Sequence, residues 1–245
     1  MPELSAADTV RAADPVVHDI GAAWMLDPAV SRHGKELGYA NPFAFYVAGR
    51  GGVLGDVDAS VVSASFGWFE PGFVRAMWDE GVAVAGAREA ARRYATACTA
   101  WAEKRLPDDP RLCALAERAA AAAEGSALPL FAGWRAEPLP DGGPARLVQA
   151  LHVLRELRGA LHLVATTAVG LTPLEAVLTR SGDDRARFLA WQGDLPDCTE
   201  LKPLLLEADE ITDRLAARVY ERALTPSERA EFADLAAKAG SAVLS

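Results

Sequence analysis

The chain has 245 residues, of which 51% are hydrophobic, and a formal net charge of −9 at pH 7. This length and composition suffice for a sizeable core without disulfide or metal support, in one large domain or two smaller ones. The acidic balance argues against extended contact with nucleic acid or anionic lipid, because such contact requires clusters of Lys and Arg. We therefore do not expect nucleic acid as the main partner.

The cysteines and apolar stretches bear on the location of the protein. Cys98, Cys113 and Cys198 are odd in number and widely spaced, which predicts neither a disulfide framework nor a zinc site. The N-terminal residues lack the apolar segment of a secretory signal. Residues 160–171 are apolar but shorter than the ~20 residues that span a bilayer. We expect a cytoplasmic protein without a membrane partner.

Helix signals dominate the first half of the chain, and β-hairpin signals are nearly absent. Acidic residues directly before proline indicate helix starts at Asp14, Asp27 and Glu70. Alanine-rich segments predict continuous helices over 82–105 and 110–124. We therefore predict an all-α fold.

The segment Pro138–Pro144 (PLPDGGP) is the clearest loop. It predicts an N-terminal helical subdomain over 1–137 and a C-terminal helical subdomain over 145–245, packed against each other.

The second half opens with a long predicted helix over 147–171. Thr172 and Thr225 each precede a proline and stand three residues before a glutamate, which is the capping-box arrangement at a helix start. Further helices are predicted over about 200–223 and 226–243.

The helix over 147–171 carries the main candidate site. Arg155, Arg158, His162 and Thr166 recur every three or four residues and share one helix face. One interpretation is an anion pocket, with fork-shaped arginine donors and His162 as the catalytic acid or base. The alternative is that the arginines face solvent or pair with acids, and that His162 satisfies a core carbonyl.

Other features of this helix are expected to be structural. From Ala160 to Leu171 the only ionisable residue is His162, so this half should be buried nearly all round. His152 and Glu156 form a second i, i+4 pair, which we expect on the surface.

Two further segments are candidates for ligand contact. Tyr46 and Arg50 lie one helical turn apart before a glycine-rich turn, where Arg50 either complements the helix dipole or faces a ligand. Phe66, Trp68 and Phe69 belong to an aromatic cluster around a Pro-Gly turn, which either packs in the core or lines an apolar pocket.

Motifs with a defined chemistry do not occur. The sequence has no phosphate-binding glycine loop, no nucleophile elbow and no zinc-protease motif. The four histidines lie far apart, so we predict no metal site. The sequence does not indicate a cofactor.

The order of short motifs resembles an actinobacterial SalK-like family, also described as a helix-turn-helix family. The resemblance covers most of the chain. The matching pieces are His18, Tyr46, Gly49-Arg50, Leu54-Gly55, Phe69, Pro71, Pro129 to Ala132, Leu154-Arg155-Glu156, Arg158-Gly159, His162, Gly170-Leu171, Leu174-Glu175 and Thr212 to Ala217.

The resemblance implies a mostly helical protein with a part derived from a winged helix, and no settled activity. Members of the family carry a histidine where this chain has Leu157. They also have a longer winged-helix segment where this chain has only Gly193–Leu206. We therefore expect a degenerate winged-helix element in the C-terminal half.

Three functions remain open. The preferred one is a small-molecule-binding protein, potentially an enzyme of specialised metabolism, whose ligand is anionic or aromatic. The second is a winged-helix-related transcriptional regulator. Against it, Arg214, Arg218 and Arg222 share a helix face but are expected to form ion pairs within the helix. The third is a helical partner subunit, which could form a homodimer.

Overall fold

The computed structural model describes residues 3–243, and this part of the chain contains helices and turns but no strand. The all-α prediction is confirmed. The α-helices are α1 (Ala6–Ala23), α2 (Pro28–Glu36), α3 (Pro42–Gly51), α4 (Ala59–Phe66), α5 (Pro71–Ala85), α6 (Ala87–Arg105), α7 (Pro110–Ala122), α8 (Pro129–Ala136), α9 (Gly143–Ala168), α10 (Pro173–Phe188), α11 (Lys202–Ala223) and α12 (Pro226–Val243).

Both predicted capping boxes are confirmed at the starts of α10 and α12. The Thr172 hydroxyl accepts the backbone N–H of Glu175, and the Glu175 carboxylate accepts the backbone N–H of Thr172. Thr225 and Glu228 make the same reciprocal pair. These bonds satisfy backbone donors that a helix start leaves free, which is why they could be read from local sequence.

Two predicted boundaries in the first half are wrong. The segment 82–105 is not one helix, because Gly86 adopts a φ of 77° and separates α5 from α6. The helix start expected at Asp14 lies earlier, at Ser5, whose hydroxyl accepts the N–H of Asp8. Pro15 therefore lies inside α1, and Asp14 is buried instead of capping the helix.

Helix α9 lies at the centre of the fold. It packs against α1, α6, α7, α8 and α11, which surround most of its length. Leu147, Leu151 and Leu154 are fully or almost fully buried at these contacts. One continuous hydrophobic core runs from α1 to α12 through this helix. The division into subdomains 1–137 and 145–245 stays a prediction.

Helix α10 is bent at Gly182, where φ is 71° and ψ is −169°. This backbone conformation is accessible essentially only to glycine. Beyond the bend, Phe188 packs against Phe43, and the Leu189 carbonyl oxygen accepts the backbone N–H of Glu70.

Residues 193–206 form a loop, a 3-10 turn over Thr199–Leu201 and the first turn of α11. A wing in β-hairpin form is not present in this described segment. The expected winged-helix origin of the C-terminal half is therefore not confirmed.

Within residues 3–243, no single helix has both the length and the apolar composition to cross a membrane, although the bent pair α9 and α10 meets these criteria jointly. Across the same residues, no three His, Cys, Asp or Glu side chains are grouped as metal ligands. The three cysteines are buried free thiols.

Candidate ligand-binding cavity

A cavity of about 520 Å³ lies beside α9 and is open to solvent on one side. Side chains of α1, α3, α4, α8, α10 and α11 complete its walls. Helix α9 supplies the polar stripe of the cavity. Arg155, Arg158 and His162, which share one face of the helix, all line the cavity.

The floor of the cavity is a buried ion pair between α3 and α9. Arg50 donates from Nε to Glu156 Oε1 at 2.7 Å and from Nη2 to Oε2 at 2.9 Å, so both carboxylate oxygens are held. Arg50 also donates to the Tyr46 hydroxyl at 3.0 Å and lies over the Phe66 ring. This fork geometry is the strongest form of arginine–carboxylate contact.

Arg155 adds a second guanidinium to the same carboxylate. Its Nη1 donates to Glu156 Oε1 at 2.7 Å, while its buried Nε has no hydrogen-bond partner among residues 3–243. Burial alone would raise the pKa of Glu156, but the charges of Arg50 and Arg155 hold it well below its ordinary value. The floor thus contains two guanidinium cations and one carboxylate.

His152 does not add a third charge. Burial lowers its pKa to about 4, so the ring is neutral at pH 7. Its Nδ1 lies 3.3 Å from the carbonyl oxygen of Gly21, and the edges of Trp24 and Trp134 enclose the ring. The prediction that His152 and Glu156 lie on the surface is wrong, because the two side chains are 0% and 1% exposed.

Arg158 is fixed by acids from two other helices. It donates to Asp14 at 3.1 Å and to Asp213 at 2.9 Å. The Tyr220 hydroxyl also donates to Asp14, at 2.6 Å. Burial raises the pKa of Asp14 to about 6 despite these two partners. Arg158 therefore lines the cavity with its charge already balanced.

His162 lies against the Trp68 ring, with centroids 5.4 Å apart. Its Nδ1 is 3.0 Å from the hydroxyl of Thr212 on α11. Burial, with the nearby Arg180 charge, lowers the pKa of His162 to about 4. The ring is thus neutral at pH 7. The hydrogen-bond partner of His162 is therefore a hydroxyl, whereas the alternative interpretation of the sequence expected a carbonyl group in the core.

Helix α10 covers the cavity near His162. Arg180 donates to Asp209 at 2.5 Å and lies 3.4 Å from His162 Nε2. Beyond the Gly182 break, Arg185 lies over the ring of Phe188, which is 46% exposed. Five arginines and two carboxylates line the cavity. When Asp14 and Asp213, which hold Arg158, are also counted, five arginines face four carboxylates, and one positive charge remains in excess.

Aromatic side chains form a further part of the cavity wall, next to Arg50 and His162. Tyr46, Phe66, Trp68 and Phe69 all line the cavity. Tyr46 packs between Phe66 and Phe69, with ring centroids 5.7 and 5.8 Å away. The cavity therefore combines an aromatic wall with an arginine-rich one.

One residue of the predicted stripe lies elsewhere. Thr166 is 2% exposed, does not line the cavity, and donates to the carbonyl oxygen of His162 in its own helix. Sequence reasoning did not place Glu156 or Arg180 in the site. Glu156 could have been found from its position one turn after His152, since a carboxylate beside a histidine on a buried helix needs a partner.

The arginine stripe of α11 lies away from the cavity. Arg214, Arg218 and Arg222 are exposed, and within residues 3–243 none of them forms an ion pair. The expected intrahelical pairs with Glu210 and Glu221 are therefore wrong. The stripe is a short row of unpaired positive charge on the surface.

No curated protein and no solved structure matches the chain. A family described as a helix-turn-helix family matches residues 10–194, which include most of α1, all of α2 to α10 and every cavity residue except Asp209. Three quarters of the sequence lie within this match. The chain belongs to the helix-turn-helix family.

Proposed function

We propose that the protein binds an anionic small molecule with an apolar or aromatic part in the cavity beside α9. The observation that carries the proposal is the floor, where Arg50 and Arg155 share the one carboxylate of Glu156. A buried positive charge in excess is costly unless an anion approaches it. A ligand carboxylate or phosphate meets that need.

Arg155 is the residue best suited to hold the anion. Its side chain is 14% exposed and lines the cavity, whereas Arg50 is only 7% exposed and is held by both oxygens of Glu156. Within residues 3–243, the buried Nε of Arg155 has no hydrogen-bond partner. An unpaired buried donor of this kind is unusual in folded proteins. An anion bound at the exposed part of the Arg155 guanidinium would offset the cost of burying this charge.

The volume and the walls support a ligand of metabolite size. Small-molecule sites have volumes of about 300–1,000 Å³ and consist mainly of apolar and aromatic side chains with a few polar anchors. The cavity of about 520 Å³ lies within this range. Tyr46, Phe66, Trp68 and Phe69 provide the apolar contact, and the arginines provide the anchors.

Cinnamate, an aromatic carboxylate, is a suitable probe for calorimetric titration. We expect Arg155→Met to weaken its binding by about tenfold or more, because a charged hydrogen bond contributes roughly 1.5–3 kcal/mol. Arg11→Met, on the exposed face of α1, is the matched control and should bind like the wild type. Absence of cinnamate binding, or equal binding by both variants, contradicts the proposal.

Native mass spectrometry of freshly purified protein addresses the natural ligand. A retained small molecule that is absent from Arg155→Met supports the cavity as its site. Retention by both proteins indicates that the molecule binds elsewhere.

A second candidate function is DNA binding by a transcriptional regulator, which membership of the family accommodates. The observation in its favour is the exposed, unpaired row Arg214, Arg218 and Arg222 on α11. Each phosphate contact adds close to one unit to the slope of log affinity against log salt. DNA from the neighbourhood of the gene should then bind with a steep salt dependence that Arg214→Gln and Arg218→Gln reduce. Absence of such binding rejects this candidate.

A further inference from the structure

The hydrogen-bond pattern around His162 determines which ring nitrogen carries the proton. The Thr212 hydroxyl lies 2.7 Å from the carbonyl oxygen of Ala208, to which it donates its only hydrogen. Its oxygen can therefore act only as an acceptor toward His162 Nδ1 at 3.0 Å. Nδ1 must then carry the proton. The Asp209 carboxylate, 3.8 Å from Nδ1, favours the same arrangement.

The second ring nitrogen is consequently an acceptor. In a neutral imidazole with hydrogen on Nδ1, Nε2 has a lone pair. Among residues 3–243, the hydrogen bond to Nε2 comes from an Arg180 nitrogen at 3.4 Å, close to the longest distance of such a bond. Arg180 has a shorter bond to Asp209, at 2.5 Å. The acceptor capacity of Nε2 is therefore largely unused on a residue that lines the cavity.

We propose that the ligand carries, besides its anionic group, a hydroxyl that donates a hydrogen bond to His162 Nε2. This inference rests on the proposed function, since it assigns the second polar end of the same ligand. The arginine end of the cavity offers donors and the His162 end offers an acceptor. The matching molecule is a hydroxylated aromatic acid.

The spacing of the two ends agrees with such a ligand. His162 follows Arg155 by seven positions on α9, which corresponds to about 10 Å along the helix axis. In 4-hydroxycinnamate a comparable distance separates the carboxylate from the phenol. Its ring would lie along the aromatic wall formed by Tyr46, Phe66 and Trp68. Cinnamate has the same carboxylate and ring but lacks the hydroxyl.

The experiment compares these two acids by calorimetric titration at pH 7. We expect 4-hydroxycinnamate to bind the wild type about tenfold more tightly than cinnamate, which is the effect of one additional buried hydrogen bond. His162→Phe retains a ring beside Trp68 but removes the acceptor, so the preference should disappear while cinnamate still binds. Equal affinity of the wild type for the two acids overturns the inference and leaves the proposed function intact. Failure of both acids to bind overturns the proposed function and the inference together.

Thr212→Val tests the positioning role of the hydroxyl. It removes the acceptor that fixes the proton on Nδ1 and leaves the His162 ring in place, so the preference for the hydroxylated acid should decrease. Correlation spectra that link ring protons to the ¹⁵N nuclei of His162 provide a readout independent of any ligand. A protonated Nδ1 in the wild type supports the inference, and a protonated Nε2 overturns it.

Discussion

The two halves of α9 differ in what surrounds them. Leu147 to Leu157 is buried on nearly every side although it includes Gln149, His152 and Glu156. Gly159 to Ala168 is more apolar, yet it borders the cavity on one face and leaves Val164 39% exposed on another. The degree of burial along this helix depends on which helices lie beside it and not on the polarity of its own residues. The first half packs tightly among the neighbouring helices and reaches the cavity only at Arg155 and Glu156, whereas the second half borders the cavity and solvent.

The largest effect is expected from Glu156→Gln in the buried half. The change leaves Arg50 and Arg155 without a counter-charge, and removal of one partner from a buried ion pair costs about 3–5 kcal/mol of stability. Urea unfolding at pH 7 measures this loss. Asp209→Asn is the matched change beside the second half, where the partner Arg180 is 46% exposed. It should cost less than about 1 kcal/mol. Equal losses for the two variants would remove the distinction between the halves.

The pH dependence of stability should show the burial of His152. An unfolded histidine binds a proton near pH 6.5, but folded His152 does so only near pH 4. Its stabilising contribution is therefore complete above pH 6.5 and is lost as the pH falls toward 4. His152→Gln should reduce the slope of unfolding free energy against pH in this window by up to about 1.4 kcal/mol per unit. The pKa of Asp14 is raised to about 6, so this group makes the unfolding free energy increase as the pH falls. Asp14 is present in both proteins, so its effect cancels in the comparison. If the unfolding free energies of the wild type and His152→Gln changed in parallel with pH, His152 would not be shielded from protons.

A pair of identical substitutions sharpens the comparison further. Val153 in the first half is 3% exposed, and Val164 in the second half is 39% exposed. Val153→Thr buries a hydroxyl and should reduce the unfolding free energy by about 1–3 kcal/mol. Val164→Thr should change it by less than about 0.5 kcal/mol. Thermal unfolding at a fixed pH measures both, and similar shifts would contradict the difference in burial.

The smallest effect is expected at Gly159, a helical glycine that lines the cavity. A Cβ atom added there has no neighbour within 4 Å. Gly159→Ala should therefore stabilise the protein by roughly 0.5–1 kcal/mol, because alanine favours a helix over glycine by that amount. Chemical denaturation measures the gain. A loss of stability would mean that the cavity is narrower at this point than the structure indicates.

Local chemistry explains which parts of the fold could be predicted from the sequence. The helix starts at Thr172 and Thr225 depend on residues within one turn, so a short motif predicts them. The face shared by Arg155, Arg158 and His162 depends only on helical periodicity, and all three line the cavity. The break at Gly86 was missed because the alanine-rich residues around it favour a helix on both sides.

The remaining features depend on contacts between distant parts of the chain. Glu156 was expected on the surface because its own helix does not show that Arg50, 106 positions earlier, lies against it. For the same reason, the apolar residues after Ala160 suggested complete burial although an open cavity borders them. Helical periodicity shows which residues share a face, but it does not show which helix or which empty space that face meets.

The Arg50–Glu156 pair also has a consequence for the alignment of α9 during folding. Apolar ridges on a helix repeat with each turn, so hydrophobic packing alone tolerates a slip of one turn, or about 5.4 Å. Such a slip would carry Glu156 away from Arg50 and leave unpaired charges in the core, at a cost of several kcal/mol. The ion pair therefore selects one register of α9 against α3 and disfavours the registers that are shifted by one helical turn.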